Sequence, residues 1–485
     1  MLVVLTVRGL TMPGSMKGLV FYLDPVWSEL AKPTTWRFAF GQVFFSLSLA
    51  FGVMITYASF LHRKSDINNN AAIIGLADFA TSFIAGLAIF ATLGGMAFVT
   101  AQAGNAVEVE NVVDAGPGLA FVAFPYALAQ LPGSAWWSFI FFFTLVTLGI
   151  DSAFSITESV LAAIVDKTGW KRCIVLPVMS LFGLGFGLIY ITQGGLNWLG
   201  AIDGFVNGIW GIVFVGLLEC VVLGWGYRIE SLRQHANERS DWHLGKWWNY
   251  AIRIFIPIVL GTIFLWNLIN DCTRFKSYEF ILDKAGNWIW PDCVGLVVIA
   301  VAPVIAVAMS LMKSPLRQAQ ADTELQDSVP ARGRIGGIFA LLLGLASAAI
   351  IGIVFKQITP PATEVSLLYL SLGLGVATII LGNAVLDKHD SGGAVSWFAR
   401  WAGIIGTIDV SLFLAILLNT ITKTAEVTTA PEHKAAEHLS GVSYVILSMV
   451  FLLIIVGLGW CFYRAMTATA KGIPVEPQLA EDTAE

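Results

Sequence analysis

Two polar residues stand side by side inside a long apolar stretch, TLGIDSAFSITES. Asp151 and Ser152 offer a carboxylate and a hydroxyl at neighbouring positions. A charge in an apolar, membrane-like environment costs about 2.5 to 3.5 kcal/mol, so this carboxylate needs a partner or an ion. Oxygen atoms are the ligands that hard cations prefer, and the carbonyl of Leu148 could complete the shell. The pattern predicts a cation site.

A second acidic residue, Asp78, lies in the apolar segment LADFATSF. Ser82 follows it one helical turn later and therefore lies on the same face of a helix. Two interpretations fit this pair: ligands of a cation, or an Asp that pairs with a Lys or Arg on a neighbouring helix. Among the apolar segments the sequence offers Arg253 as a basic residue, near a segment end. We therefore favour the cation.

The segment GQVFFSLSLAFG, residues 41–52, interrupts an apolar run with glutamine, serine and glycine. Ser46, Ser48 and Gly52 would permit local unwinding of a helix near its centre. Unwinding frees backbone carbonyls for a cation and leaves a half-helix N-terminus for an anion. The same residue types also serve ordinary close packing between helices, so the pattern alone leaves both interpretations open.

Other chemistries find little support in the sequence. The five cysteines lack Cys-x-x-Cys or Cys/His spacing, and the six histidines fall in polar connectors or at their edges. Without a Ser/His, Cys/His or clustered-carboxylate constellation, we expect no enzyme. Cys272 and Cys293 flank one connector and could form a disulfide or stay two unpaired thiols. A net charge of −5 without a basic cluster argues against nucleic-acid binding.

The composition indicates that lipid is the solvent for most of the chain. Hydrophobic residues make up 56% of the 485 positions and charged residues 13%, whereas soluble proteins carry roughly 25% charge. The mean hydropathy is +0.76. We therefore predict an all-α polytopic membrane protein, since only helices and closed barrels satisfy their backbone in lipid.

Apolar runs of about 20 residues predict transmembrane helices. Eleven such spans are predicted, at residues 38–60, 71–100, 135–165, 173–193, 198–227, 248–269, 294–312, 335–355, 366–386, 398–421 and 442–463. Ahead of them, residues 1–10 form an apolar run that is too short to span and lacks the features of a signal peptide. It has the pattern of the second half of a helix.

The connectors suggest orientation and organisation. One alternating set holds about twice as many Lys and Arg as the other, which predicts a cytoplasmic C-terminus in the cell membrane, although a chance distribution would also fit. Pro315 and Pro330 mark residues 313–334 as a cytoplasmic linker. It separates residues 1–312 from a four-helix extension, 335–466, and a polar tail, 467–485. The Gly- and Pro-rich connector 101–133 fits a re-entrant hairpin or a plain loop.

The ordered motifs of this chain resemble the neurotransmitter:sodium symporters, in their bacterial branch. The similarity runs from about residue 4 to 312 and covers the end of the family's fifth helix to its twelfth. It is carried by DPVWSELAKPTTWRFAFGQVFFSLSLAFGVMITYASF, LADFATSFIAGLAIF, TLGIDSAFSITESVLAAIVD, GLLECVVLGW and YAIRIFIP. The resemblance implies a partial inverted-repeat symporter fold with four extra C-terminal spans.

Site roles are carried over from this resemblance, residue by residue. It implies a substrate-facing wall made by Phe45, Ser48, Phe51, Gly52, Ser152 and Ile156. It implies Na⁺ ligands at Ser46, Asp78, Leu148, Asp151 and Ser152. It matches the anion-holding positions of chloride-dependent members to Gln42, Ser46 and Ser82, and the gate acids to Asp166 and Asp203. Because Asp78 already supplies a negative charge, where the family usually has Asn, we expect no chloride requirement.

The resemblance also leaves gaps. Family helices one to four and half of the fifth have no counterpart. The two sodium sites of the family, the first matched by Ser46 and Asp78 and the second by Leu148, Asp151 and Ser152, are therefore incomplete in the sequence as given. A start codon placed too far downstream is the favoured explanation, with a decayed or split transporter as the alternative. The four spans after Arg334 lie outside the family pattern, and Asp409 among them is expected to serve helix packing.

The expected function is therefore Na⁺-coupled symport of a neutral amino acid by alternating access, since the pocket wall is apolar and aromatic. The rival hypothesis is a non-transporting membrane scaffold or sensor derived from such a transporter. The expected partners are the amino acid, the lipid bilayer, and either a second copy of the chain or a separate chain carrying the missing N-terminal half.

Overall fold

The structure is a computed structural model. It describes residues 2–61, 65–102, 121, 124–129, 133–226, 229–276, 289–311, 362–388, 394–426, 442, 444–453 and 455–456. Within these residues every regular element is helical, which confirms the predicted all-α class. The predicted linker 313–334, the span 335–355 and the tail 467–485 lie outside the described residues, as does most of the connector 101–133.

Seventeen α-helices are named here in chain order. They are α1 Leu2–Leu10, α2 Ser15–Leu23, α3 Pro33–Ser46, α4 Val53–Phe60, α5 Ile67–Gln102, α6 Phe124–Ala129, α7 Ser134–Thr168, α8 Arg172–Gly187, α9 Gly195–Val206, α10 Phe214–Val221, α11 Ile229–Asn237, α12 Trp247–Tyr250, α13 Ile256–Lys276, α14 Trp290–Leu311, α15 Ala362–Lys388, α16 Ala394–Glu426 and α17 Tyr444–Leu453. Short 3₁₀ turns lie at Trp27–Ala31 and Leu188–Ile191, and π-helical turns at Ile209–Val213, Val222–Gly226 and Ala251–Phe255.

Six stretches are long and apolar enough to cross a membrane among the described residues: Ile67–Phe98, Ser134–Thr168, Arg172–Ile191, Gly195–Gly226, Trp247–Asn270 and Phe398–Asn419. Trp290–Ala306, Ser371–Leu386 and Tyr444–Leu453 are shorter apolar helices at three further predicted spans. The predicted span 38–60 differs, because it consists of two helices, α3 and α4. The predicted span 198–227 is interrupted by two π-helical turns rather than being one regular helix.

The chain divides into two compact units. The first contains Met1–Val26, Ile67–Gly149 and Glu432–Glu485, and the second contains Trp27–Asp66 and Ile150–Pro431. The boundary between Gly149 of the first unit and Ile150 of the second falls within helix α7, so this helix contributes residues to both units.

In the first unit, α1 and α2 pack along the 36-residue helix α5. A Cβ atom at Gly18 would lie 1.8 Å from the carbonyl oxygen of Phe90, so only glycine allows this approach. Tyr22 stacks on Phe90 with ring centroids 4.7 Å apart. The buried side chains of Leu19 and Phe83 complete the contact, and their burial is the main stabilising term here.

In the second unit, α13 is the central helix. Its buried residues Leu260 and Ile263 pack against Ile212 and Val213 of the first π-helical turn, with Phe44 of α3 beside them. Helix α13 also packs against α16, which forms a hairpin with α15. The cluster that contains Phe44 and the C-terminal hairpin therefore share one supporting helix.

The hairpin of α15 and α16 is held by small residues at its contact. A Cβ atom at Gly382 would lie 2.9 Å from the carbonyl oxygen of Ala399, and one at Gly375 would lie 3.3 Å from Cβ of Asp409. Asp409 is only 3% exposed. This position against α15 agrees with the packing role expected for Asp409.

Candidate functional site

The predicted unwinding of the first full span is confirmed. Helix α3 ends at Ser46 and α4 begins at Val53, with residues 47–52 in turns and bends between them. Ser48 and Ala50 have positive φ angles of 52° and 63°, and Gly52 has 74°. A positive φ is unusual for residues with a side chain and costs of order 1–3 kcal/mol each, so the surrounding structure must hold the break in place.

Packing and backbone hydrogen bonds hold the unwound segment. The Leu49 N–H donates to the Phe44 carbonyl at 2.9 Å, a spacing of five residues that loosens the last turn of α3. Ala50 and Phe51 pack against the buried cluster of Ile212 and Leu260. The segment is therefore an ordered loop.

The break places opposite helix ends close together in sequence. The C-terminus of α3 carries partial negative charge and the N-terminus of α4 partial positive charge, because their peptide dipoles are aligned. Gly52 at the start of α4 provides no capping side chain. A cation at the first end and a carboxylate at the second would both be stabilised by this arrangement.

Two hydrogen bonds join α4 and the unwound segment to α7. The hydroxyl groups of Tyr57 and Ser155 lie 2.5 Å apart, and Ser159 Oγ donates to the Phe51 carbonyl at 3.4 Å. Ser159 is 6% exposed and also donates to the Ile156 carbonyl at 2.9 Å. The unwound backbone thus contacts the helix that carries the predicted cation ligands.

A cavity of about 260 Å³ lies beside α3, the first half of the broken helix. Gln42 and Phe45, predicted from the family resemblance, line it together with the predicted gate acid Asp203. Arg37 and Asn207 line it as well, and the Asn207 amide donates to Asp203 Oδ1 at 2.5 Å. The cavity is therefore lined by a basic side chain, an acidic side chain, amide groups and aromatic rings.

Two aromatic contacts shape this wall. The Arg37 guanidinium lies over the Phe38 ring, 4.9 Å from its centroid, which favours a cation at this position. Phe45 and Phe51 form an edge-to-face pair with centroids 6.1 Å apart. This pair spans the break, because Phe45 lies in α3 and Phe51 in the unwound segment.

Asp151, Ser152 and Ile156 lie on an exposed face of α7. Ser155 Oγ donates to the Asp151 carbonyl at 3.0 Å, so Ser155 adds a hydroxyl next to the predicted ligands. Leu148 is 59% exposed one turn earlier. Asp151, Ser152 and Ser155 offer side-chain oxygen atoms on this face, and oxygen ligands fit Na⁺.

Asp78 and Ser82 lie on α5 in the first unit, whereas Ser46, Asp151 and Ser152 belong to the second. The side chain of Asp78 is partly buried and that of Ser82 is exposed. The convergence of Ser46, Asp78, Asp151 and Ser152 stays a prediction. The same holds for an anion position built from Gln42, Ser46 and Ser82.

The predicted gate acid Asp166 lies exposed near the C-terminal end of α7. The same helix carries Glu158, which forms an ion pair that the sequence analysis did not identify. Its carboxylate accepts hydrogen bonds from both terminal nitrogens of Arg172, the first residue of α8. Arg172 lies 14 residues after Glu158 in the sequence, and the turn between their two helices contains Gly169, with φ 71°.

Sequence reasoning also missed Arg37, Asn207, Tyr57 and Ser159. Asn207 lies four residues after Asp203, and a helical register could have paired the two. Ser159 similarly follows Ser155 by one turn. Tyr57 had no local signal, since its partner Ser155 lies 98 residues away. Arg37 had none for the cavity, since Asp203 and Asn207, which line it too, are distant in sequence.

The Cys293 thiol is free and partly buried. Of the two alternatives for Cys272 and Cys293, the unpaired form therefore agrees with the structure, while the Cys272 side chain lies outside the described residues.

Comparison with known proteins places this arrangement in a family. Residues 1–314 match the family described as the sodium:neurotransmitter symporter family. A protein of Methanocaldococcus jannaschii described as an uncharacterized sodium-dependent transporter is 36% identical over 320 residues, covering 65% of this chain and 61% of that protein.

Two animal relatives extend the comparison. The human sodium- and chloride-dependent neutral and basic amino acid transporter B(0+) is 36% identical over 281 residues, which is 56% of this chain and 42% of that protein. The rat sodium- and chloride-dependent taurine transporter is 32% identical over 288 residues, 58% of this chain and 46% of that protein. The chain spans about half the length of the curated relatives it matches. With a match over residues 1–314 and these relatives, the chain belongs to the sodium:neurotransmitter symporter family.

Proposed function

We propose that this protein carries out Na⁺-coupled symport of a neutral amino acid across the cell membrane by alternating access. The observation that carries the proposal is the helix break at residues 47–52, which joins a charged cavity on one side to the oxygen-bearing helix α7 on the other. The relatives are named as sodium-dependent transporters, two of them of amino acids or taurine, which supports the coupling ion and the class of substrate.

Na⁺ is the proposed coupling ion. Ser46, Asp151 and Ser152 supply oxygen ligands in the second unit, and the Leu148 carbonyl and Asp78 are the remaining proposed ligands. Because Asp78 brings a negative charge of its own, the proposed site needs no chloride, although the animal relatives are named as chloride-dependent. A chloride-free buffer is expected to leave uptake unchanged.

The chemistry of the cavity supports a zwitterionic substrate. Arg37 suits a carboxylate and Asp203 suits an ammonium group, and both line the same cavity. Its volume of about 260 Å³ lies just below the roughly 300–1,000 Å³ of typical small-molecule pockets, which suits an amino acid. Phe45, Phe51 and Ile156 form the proposed wall for the side chain, and their apolar surfaces disfavour a charged one.

The proposed motion uses the break as a hinge. The outer half, α3, packs with the π-helical turn Ile209–Val213 and α13, whereas the inner half, α4, is joined to α7 through Tyr57 and Ser155. The two halves therefore have different partners in the second unit. The proposed gates are Asp166 on α7 and Asp203 on α9, one at each end of the proposed transport path.

Uptake by the purified chain in proteoliposomes tests the function. Labelled leucine, alanine and phenylalanine are offered with an inward Na⁺ gradient, and then with Li⁺ or choline in place of Na⁺. Symport predicts accumulation of at least one of the three only with Na⁺. Equal uptake in all three salts would refute the coupling, and no uptake of any of them would refute the neutral substrate class.

A non-transporting scaffold or sensor is the second candidate, because Asp151 and Ser152 are exposed in the described part of the second unit. A carboxylate cannot face lipid at low cost, so this face of α7 requires cover. We propose polypeptide as that cover, either a second copy or a chain that supplies the remaining helices of the relatives. Na⁺-driven accumulation of leucine distinguishes the candidates, since neither a scaffold nor a sensor transports it.

A further inference from the structure

Arg253 is a buried arginine within an apolar stretch that is long enough to span a membrane. It is 3% exposed, and the stretch covers Trp247–Asn270. Its Nε donates to the Gly224 carbonyl at 2.9 Å, and its Nη1 donates to Asn383 Oδ1 at 3.0 Å. A guanidinium in such a place is retained only where hydrogen bonds offset its desolvation. Asn383, on α15, is one of those partners.

Arg253 and its partner Gly224 lie in two π-helical turns that approach each other closely. Arg253 lies in Ala251–Phe255, and Gly224 lies in Val222–Gly226. A Cβ atom at Gly224 would lie 3.0 Å from Cα of Arg253, so glycine permits this close approach of the two backbones. The Trp225 indole N–H donates to the Arg253 carbonyl at 2.9 Å. Such turns often mark functional positions in helices.

The C-terminal hairpin fits onto these turns through small residues. Trp225 is fully buried, and a Cβ atom at Gly403 of α16 would lie 2.0 Å from a ring carbon of Trp225. Arg400 Nη1 donates to the Gly226 carbonyl at 2.9 Å. Leu386 and Ala399 of the hairpin are buried in the same cluster as Trp225. Contacts from both α15 and α16 therefore converge on one place.

A second contact lies further along α13. Ser411 Oγ of α16 donates to the Ile258 carbonyl at 3.3 Å, and a Cβ atom at Gly261 would lie 2.7 Å from that hydroxyl. Elsewhere on α13, Leu260 and Ile263 pack in the cluster that contains Phe44 and Phe51 of the broken helix. One helix thus connects the hairpin with the wall of the cavity.

We propose that α15 and α16 are a built-in accessory subunit that docks on Arg253 and Trp225 and positions α13, and through it the broken helix. The hairpin lies beyond the residues that match the family, 1–314, whereas Arg253 and Trp225 lie within them, so the hairpin is the part of this contact that the family match does not cover. Arg253 is a positioning residue in this proposal. Only the transport readout below rests on the proposed function.

Stability of the full chain tests the docking. Arg253→Met, Asn383→Leu and the double variant are purified in detergent, with Arg239→Met at an exposed position as the control. Each single change leaves a buried polar group with fewer partners, so we expect each melting temperature to fall by roughly 5–10 °C. The double variant is expected to fall by less than the sum. Additive losses, or no loss at Asn383→Leu, would overturn the docking role of this pair.

Two glycine variants keep the test valid if the arginine variant does not fold. Gly403→Ala places a methyl group against Trp225, whereas Gly373→Ala on α15 meets nothing within 4 Å. We expect the first to lower the melting temperature and the second to leave it equal or higher. Equal melting temperatures for both variants would overturn the close packing of Trp225 on the hairpin.

Na⁺-driven uptake of leucine then tests the positioning role. We expect Asn383→Leu and Gly403→Ala to raise the KM at least threefold while Gly373→Ala keeps the wild-type value. An unchanged KM in a variant whose melting temperature has fallen would overturn the positioning role. If the wild-type chain shows no uptake, the proposed function fails, while the melting temperatures still decide whether the hairpin docks as proposed.

Discussion

Asp151 supplies a full negative charge to the proposed Na⁺ site from the second unit. Asn at this position keeps the size and one oxygen but removes the charge, so the attraction for a cation weakens. For Asp151→Asn we expect the Na⁺ concentration at half-maximal uptake to rise at least about tenfold, equivalent to about 1.4 kcal/mol. Na⁺ titration of leucine uptake measures it.

The control for Asp151 is Thr147→Ala, one turn earlier on the same helix. The Thr147 hydroxyl donates to the Phe143 carbonyl of its own helix at 2.9 Å, so its loss leaves the proposed site intact. We expect an unchanged Na⁺ dependence. The same Na⁺ dependence in Asp151→Asn and wild type would remove Asp151 from the site.

Glu230, on the short helix α11 between two apolar stretches, is held by a network of donors. Arg233 donates through Nε at 3.1 Å and through a second nitrogen, and the Asn249 amide donates at 2.6 Å. The Arg233 hydrogen bonds, together with those from Asn249 and Gln234, lower the pKa of Glu230 from 4.5 to about 2. The charged form therefore stabilises this connector.

The sign of the pH dependence follows from this lowered pKa. Above pH 4.5, Glu230 is ionised in both the folded and unfolded chain, and its full contribution is present; it is lost as the pH falls towards 2. We expect Glu230→Gln to lower the stability by about 1 kcal/mol at pH 7. Melting temperatures at pH 7, 5 and 3.5 should show the difference from wild type shrinking at the lowest pH.

Glu238→Gln is the matched control, because Glu238 lies 3.8 Å from His235 and is 66% exposed. We expect no change in melting temperature at any of these pH values. A Glu230→Gln difference that grows as the pH falls would contradict the network.

At the scale of the element, the break between α3 and α4 depends on backbone that favours glycine. Gly52 has φ 74°, and a Cβ atom there would meet nothing within 4 Å. A methyl group at Gly52 therefore costs only its conformational strain, roughly 1–2 kcal/mol for a left-handed residue. We expect Gly52→Ala to lower the melting temperature by about 2–8 °C, measured in detergent.

Gly183→Ala on α8 is the matched control for Gly52→Ala. Its Cβ would also meet nothing within 4 Å, but Gly183 lies within a regular helix. Alanine there should be neutral or should stabilise the protein by about 0.5–1 kcal/mol. Equal effects of the two substitutions would show that the backbone at Gly52 does not require glycine.

The sequence predicts those features of this helix break that depend on neighbouring residues, but not those that depend on residues distant in sequence. Ser48 and Gly52 signal it locally, because small and polar residues interrupt a 20-residue apolar run. The partners that hold it are distant: Ser159 reaches Phe51 across 108 residues, and no periodicity in either segment indicates their contact. Local pattern thus predicted the position of the break, whereas tertiary packing selected its partners.

At the scale of the whole molecule, long-range contacts again limit prediction. The apolar runs and the family motifs predicted the helical class and the membership, since both depend on composition and on ordered local matches. The pairing of Arg253 with Asn383 joins residues 130 positions apart, on opposite sides of the segment 312–361. Only the folded second unit brings them together.

The orientation of the chain in the membrane is a property of the whole molecule, and it follows from the uneven distribution of Lys and Arg. Positive residues are retained in the cytoplasm, so we propose a cytoplasmic C-terminus. A green fluorescent protein fused after Glu485 should fluoresce, because that protein matures in the cytoplasm, whereas an alkaline phosphatase fused there should be inactive. As the control, both reporters are fused to a second version in which one further apolar span follows Glu485. That version should reverse both signals, and active phosphatase directly after Glu485 would contradict the orientation.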